Sequence, residues 1–370
     1  MKIKNLCSYA PKSKIKAGEA VENAKYLFFT SSADENKRYT DFQFDKEAII
    51  MGTGGNATLH YYNGKFSVST DCLVLLPNSK IKCKYLYYFF KSHMSVLEAG
   101  FKGAGLKHTN KKYIEEINIS EIPDLTTQEK IISHLDTISD NIEKLNRELE
   151  LFDSLTKARF VEMFGNPEIN SFDWPVCTLK ELVSFEPQNG LYKPQSAYVQ
   201  DGSGFPIVRI DAFYNGRITN FSALKRLECS ESEVQRYLLQ ENDIVINRVN
   251  SIEYLGKCAH IKGLLEETVF ESNMMRLHLD DTVMNAVFAT KLLCSQYIYK
   301  QIMIRAKKAV NQASINQQDV LSFRMFVPPL ELQEQFAAFV EQTDKSKLAV
   351  QKSLEKTQQL FDSLMQEYFG

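Results

Sequence analysis

The chain has 370 residues, 44% hydrophobic and 24% charged, with a formal net charge of −2, which suits two globular domains and excludes a disordered or collagenous chain. No apolar run approaches the ~20 residues that span a bilayer, and Met1-Lys2-Ile3-Lys4-Asn5 opens without the apolar stretch of a signal peptide. The seven cysteines are scattered without a Cys-x-x-Cys pair, which argues against a disulfide framework or zinc site and for a reducing cytoplasm.

Residues 1–120 make a first globular segment with a charge of +7, against −6 for residues 121–170. Contact with a polyanion therefore belongs to the globular parts, chiefly the first, although a merely lysine-rich surface carries the same charge. Glu47-Ala48-Ile49-Ile50-Met51 has the unbroken apolar run of a buried strand. It leads into Gly52-Thr53-Gly54-Gly55-Asn56, which presents Thr53 and Asn56 to bases or backbone, or is simply a tight β-turn. No Gly-Lys-Ser/Thr follows, so the loop is not a Walker A phosphate cradle. An aromatic helix is expected over 84–92, then a polar loop over 103–110 followed by a strand. Glycines 103 and 105 allow the backbone to approach phosphates that Lys102 and Lys107 neutralise, with His108 and Asn110 alongside. A solvated surface loop is the alternative.

Residues 121–165 form the first long helix. Ile131, Leu135, Ile138, Ile142, Leu145, Leu149 and Phe152 alternate spacings of four and three, the seam of a heptad helix that needs a partner. Thr126 or Thr127 is the expected N-cap, and Gly165-Asn166-Pro167 stops the helix after Phe164. About 37 helical residues give a rod of roughly 55 Å.

After a linker over 166–173, the second globular segment covers 174–327 and repeats the landmarks of the first. The run 242–250 corresponds to 47–55, 269–277 to 66–75, and an apolar helix over 286–295 to the aromatic one. The polar loop returns over 309–316. Candidate contacts are Asn189, Tyr192 and Lys193, then Arg209, Arg248, Asn250 and Ser251 at strand ends, and Lys308, Asn311, Gln312 and Ser314 in the loop. Asn and Gln pair with adenine and Arg with guanine, each good bidentate pair giving roughly 1–3 kcal/mol of discrimination. A turn or capping role is the alternative for each one singly.

Residues 328–370 form the second long helix, with a seam at Phe336, Val340, Thr343, Lys347, Val350, Leu354, Thr357 and Phe361. Lys347 either snorkels out of the seam or meets an acidic residue across it. The two helices begin alike, Pro123-Asp124-Leu125-Thr126-Thr127-Gln128 and Pro328-Pro329-Leu330-Glu331-Leu332-Gln333, 205 residues apart. Both close on Phe-Gly, at 164–165 and 369–370. A repeat this long is a duplicated half rather than a solenoid period. Each helix is the other's simplest partner, antiparallel, and short strands mixed with few helices make each globular segment α+β.

The order and duplication of these landmarks resemble the specificity subunit of a Type I restriction-modification enzyme over essentially the whole chain. The resemblance implies two target recognition domains, each reading half of a split, asymmetric site in double-stranded DNA. It implies that the helices set their separation and dock two methyltransferase subunits, with restriction (motor-nuclease) subunits joining that assembly. A 55 Å rod bridges one groove repeat of about 34 Å but not two, so half-site centres are expected one helical turn apart.

No catalytic constellation stands beside this. The six histidines show no His-x-x-x-His spacing, no Gly-rich AdoMet loop is present, and Asn166-Pro167 is followed by Glu168-Ile169 rather than a methyltransferase motif. The expectation is no catalytic residue, metal or cofactor, and no membrane contact. The competing classes are a coiled-coil adaptor that binds protein instead of DNA, and an enzyme acting alone.

Overall fold

The computed structural model describes residues 1–103, 105, 107–214, 216–218, 220–310 and 312–370, with Tyr214 by its backbone only. The chain forms two compact units, Met1–Glu148 with Val350–Gly370, and Leu149–Ala349.

In the first unit, strands β1 (Cys7–Tyr9), β2 (Phe44–Gly52), β3 (Leu59–Val68) and β4 (Cys72–Pro77) lie in the order β1-β4-β2-β3, each antiparallel to its neighbour. Successive side chains of a strand point to opposite faces. Ile49 and Met51 enter one apolar cluster, while Ala48 and Ile50 enter another on the far side. A sheet covered on both faces explains why this strand shows no polar alternation. The aromatic helix α1 (Cys83–Ser92) packs on one face, burying Tyr85, Leu86, Tyr88 and Phe90. The N-terminal part of the first long helix, α2 (Leu125–Phe164), supplies Ile131 and Leu135 to that cluster. The α-helix of Ala286–Leu293 is α3 in the second unit, and the second long helix is α4 (Leu330–Phe369). Helix α4 closes the first unit's cluster with Phe361, Met365 and Phe369. Asp136 of α2 fixes α1 by accepting from Tyr88 Oη at 2.6 Å and Lys84 Nζ at 2.7 Å.

The second unit repeats the plan. Strands β5 (Gln188–Asn189), β6 (Ile244–Asn247), β7 (Cys258–His260) and β8 (Met274–Leu277) lie in the order β5-β8-β6-β7, again all antiparallel. Ile244 and Ile246 face one cluster and Val245 the other. Helix α3 covers the sheet as α1 does, and its Phe288 ring stacks on Phe160 of α2, centroids 5.6 Å apart. Phe164 meets both Phe288 and Phe336. Lys347 resolves its seam position by pairing with Asp153 at 2.5 Å. Because Asp153 meets Lys347 while Phe164 meets Phe336, the two helix segments here run antiparallel. Arg217 bonds Asp344 at 2.5 Å and Lys262 bonds Glu341 at 3.1 Å, tying the globular part to α4.

Burial along the expected heptad seam is uneven. Ile131, Leu135, Phe336, Val340 and Phe361 are buried where the clusters of the globular parts reach the helices, while Ile138, Ile142, Leu145, Leu149, Phe152, Val350 and Leu354 are half-buried. Three expectations need correction. Asp124, not Thr126 or Thr127, caps α2, its carboxylate accepting from the Thr127 N–H at 2.9 Å; a charged oxygen just outside the helix also complements the N-terminal dipole. The polar loops lead into short helices, Lys111–Glu116 and Gln317–Leu321, before any strand. Phe160 and Phe164 lie beyond the assigned seam yet are buried, because Phe288 and Phe326 of the globular core reach them.

The repeated glutamine of the helix starts has one job in both units. Gln128 and Gln333 are fully buried. Gln128 Oε1 accepts from the N–H of Lys82, the residue capping α1, at 2.8 Å, and Nε2 donates to the Pro123 carbonyl at 2.8 Å. Gln333 Oε1 accepts from Asn285, which caps α3, at 2.9 Å, and Nε2 donates to Pro328 at 2.8 Å and Val283 at 3.1 Å. Each glutamine thus joins the start of a long helix to the start of the helix it packs on. Replacing either with leucine strands buried backbone groups and should destabilise its unit by about 2–3 kcal/mol in urea unfolding; an unchanged midpoint would refute the lock.

His260, on β7, bonds Asn242 Oδ1 at 3.1 Å. Burial, and then the like charge of Lys262, push its pKa down from 6.5 to about 4. The folded state therefore prefers the neutral ring. Its stabilisation is complete above pH 6.5 and is lost as pH falls from 6.5 towards 4. His260→Gln should flatten that part of the stability profile relative to the parent chain, measured as melting temperature against pH.

Candidate nucleic-acid interface

In the first unit, the end of β2 and the polar loop after α1 are brought into one place. The Thr109 N–H donates to the Thr53 carbonyl at 3.0 Å, and the Gly55 N–H to the Lys107 carbonyl at 2.9 Å. Lys102 and His108 exchange both backbone hydrogen bonds, so the loop is a hairpin with its second arm against Gly54. A Cβ on Gly54 would sit 3.2 Å from the His108 ring, so the hairpin arm lies close against this glycine. Gly55, with φ of +83°, turns the chain in the left-handed region that favours glycine. Lys102, Lys107, His108 and Asn56 are exposed around this junction. Thr53 Oγ1 is held by the Asp71 carbonyl at 3.0 Å. Asn110 caps the following short helix, its Oδ1 accepting from Tyr113 at 3.0 Å.

The second unit builds the same junction with different side chains. Val249–Asn250 pairs with Ala313–Ser314, which pairs with Lys307–Lys308. The Ile315 N–H donates to the Arg248 carbonyl at 3.0 Å, as Thr109 does to Thr53. Asn316 caps the next helix through Asp319, as Asn110 does through Tyr113. Ala313 and Ile315 are buried in the main core, which anchors the hairpin base.

Residues 271–273 gather the remaining candidates beside this hairpin. Arg248 donates its N–H to Asn273 at 2.8 Å and its Nη1 to the Ser272 carbonyl at 3.0 Å. The Ser272 N–H donates to Leu191 at 2.9 Å, and Leu191 in turn to Phe270 at 2.8 Å, which lays residues 189–193 along the same loop. Asn189 pairs in register with Met275, and Tyr192 is 78% exposed. Asn250 Oδ1 accepts from the Ser251 N–H at 2.7 Å, and Gln312 and Lys308 are exposed. Asn311 lies outside the described residues.

Two cations are already spoken for. Lys193 bonds Glu233 at 2.8 Å, which raises the lysine pKa above its ordinary value. Arg209 lies 3.7 Å from Asp211 and 4.0 Å from Glu271, with its guanidinium over the Tyr198 ring. Their charge is matched within the protein, so less of it is left for a polyanion than the sequence suggests. The gathering role of residues 271–273 had no local signal, since its bonds reach Leu191 and Arg248 far along the chain. Among the described residues no cluster of His, Cys, Asp or Glu is arranged to hold a metal, and no helix is long and apolar enough to cross a membrane.

Gly190 is the tight point of this arrangement, because a Cβ there would collide with the carbonyls of Phe270 and Glu271. Gly190→Ala should cost about 1–3 kcal/mol through overpacking. It should also displace Tyr192, read as faster amide hydrogen exchange over residues 189–193; unaltered exchange would count against this packing.

The sequence profile of the family described as Type I restriction modification DNA specificity domain matches residues 1–151 and 172–360. The EcoKI specificity subunit of Escherichia coli K12 is 23% identical over 383 residues, covering 98% of this chain and 77% of that protein. The MjaVIII specificity subunit of Methanocaldococcus jannaschii is 25% identical over 339 residues, covering 85% and 78%. In shape, the chain is similar to the crystal structure of a Type I restriction-modification S subunit from M. genitalium, with a TM-score of 0.69 at 17% identity, covering 100% of this chain and 95% of that one. Both relatives are specificity subunits of Type I restriction enzymes. A duplicated sheet-and-helix plan, two hairpin junctions and a profile match over most of its length together place this chain in the Type I restriction-modification DNA specificity family.

Proposed function

We propose that this chain reads a bipartite, asymmetric sequence in double-stranded DNA, one half with residues 1–120 and the other with residues 174–327. What carries this reading is the pair of junctions. Each unit sets an exposed basic hairpin against the end of a core strand with the same backbone bonds, while the exposed side chains differ. A shared scaffold with unlike surface groups suits two readers of unlike half-sites. Lys102, Lys107 and Lys308 would neutralise phosphates. Thr53, Asn56, His108, Asn110, Asn189, Tyr192, Arg248, Asn250, Ser251, Gln312 and Ser314 supply hydrogen-bonding groups for bases or backbone. The two long helices would set the gap between half-sites and dock two methyltransferase subunits, with restriction subunits joining that complex in the cytoplasm.

The test is modification mapping in cells that express this chain with its methyltransferase. One split motif is expected, and exchanging residues 1–120 for those of a relative should change one half of it and leave the other. A uniform or absent motif would sink the proposal. Lys102→Ala with Lys107→Ala should make the slope of log affinity against log salt shallower by about 0.9 for each phosphate that is no longer neutralised. Inserting one heptad into each long helix preserves the seam and adds about 10 Å, or roughly three base pairs, to the tolerated gap. A gap that stays constant in a folded, active protein would rule out the spacer role.

A further inference from the structure

The hairpin of the second unit carries an apolar side chain where a basic loop would be expected to be polar throughout. Val310 is 98% exposed and lies in the turn between Lys307–Lys308 and Ala313–Ser314. A single exposed aliphatic residue is ordinary on a protein surface. Its position is what distinguishes this one. Both lysines are exposed, and among the described residues neither makes an ion pair. The base of the hairpin is fixed by Ala313 and Ile315 in the core and by the Ile315-to-Arg248 hydrogen bond. The turn closes through the Ala309 N–H, which donates to the Gln312 carbonyl at 2.7 Å. The result is a hairpin turn carried on a small three-stranded sheet, with two exposed lysines on the arm that leads into it and Val310 exposed in the turn.

Each part of that hairpin has a counterpart on duplex DNA. The major groove admits a two-stranded β-ribbon, lysines meet the phosphates along its walls, and the one apolar group on its floor is the thymine C5-methyl. Valine is short and β-branched, with a restricted χ1, so it loses little freedom on contact and lacks the reach of an intercalating wedge. We propose that Val310 is a specificity-determining residue that recognises a thymine by its methyl group in the half-site read by the second unit. This rests on the DNA-reading function proposed above.

The experiment uses the full chain assembled with its methyltransferase. A random duplex library is selected with the parent chain, and duplexes of the selected sequence are made with thymidine or deoxyuridine at each thymine position. Loss of the methyl at one position in the second unit's half-site should weaken binding by the parent about fourfold, the equilibrium worth of one buried methyl group. The same replacement should leave Val310→Ala unaffected, and selection with Val310→Ala should relax that base pair alone. Val310→Ser, which removes both γ-methyls, should behave as Val310→Ala does, with an unchanged melting temperature in both. The assignment is overturned if Val310→Ala selects the parental sequence with parental sensitivity to deoxyuridine. It is equally overturned if Val310→Ala weakens assembly with the methyltransferase while sequence selection is untouched, which would make the tip a protein contact. If the parent itself selects no sequence, the DNA-reading function falls, and this assignment with it.

Discussion

The orientation of each globular unit on its helices depends on a buried amide. Gln128 and Gln333 each fill a fully desolvated site with both ends of the carboxamide bonded to backbone. A buried polar group satisfied in this way admits one geometry, since any slip breaks several hydrogen bonds where no water can replace them. Apolar packing of the kind made by Tyr88 with Phe361, or Phe288 with Phe160, supplies most of the cohesion but tolerates sliding. The glutamine, with Asp136 in one unit and Asp344 in the other, removes that tolerance. For a protein whose family is defined by sequence specificity, a fixed angle between sheet and helix matters more than added stability.

The same logic governs the hairpin junctions. Backbone hydrogen bonds hold each hairpin against a strand end, and the exposed side chains above take no part in that attachment. Those side chains are therefore exchangeable with little effect on the fold. The capping asparagines, Asn110 and Asn316, fix where the short helix after each hairpin begins. Between the two units the backbone bonds of the junction are alike and the exposed side chains differ.

Features carried by local pattern were legible in the sequence. The heptads showed two long helices with an apolar stripe, but Ile131, Leu135, Phe336, Val340 and Phe361 are buried because the clusters of the globular parts reach them. The apolar run around Ile49 is a buried central strand. Features that depend on distant partners were not legible. Gln128 acquires its role from Lys82 and Pro123, and Phe164 is buried by Phe288, more than 120 residues away. Asp124 and Thr127 compete for one cap, and only the backbone conformation decides between them. In the site, the sequence showed which cations were present but not that Glu233 and Glu271 already attend Lys193 and Arg209.

The first unit is not a continuous stretch of chain, since Met1–Glu148 is completed by Val350–Gly370. Phe361, Met365 and Phe369 are part of its apolar cluster, yet they are synthesised some 200 residues after the rest of it. At ordinary rates of synthesis the earlier portion waits roughly 10–40 s for them. Throughout that interval the nascent N-terminal half displays an unsealed greasy face, so its maturation order is the reverse of vectorial folding. A truncated or stalled product would leave that face open to chaperones, to proteases, or to the corresponding helix of another copy.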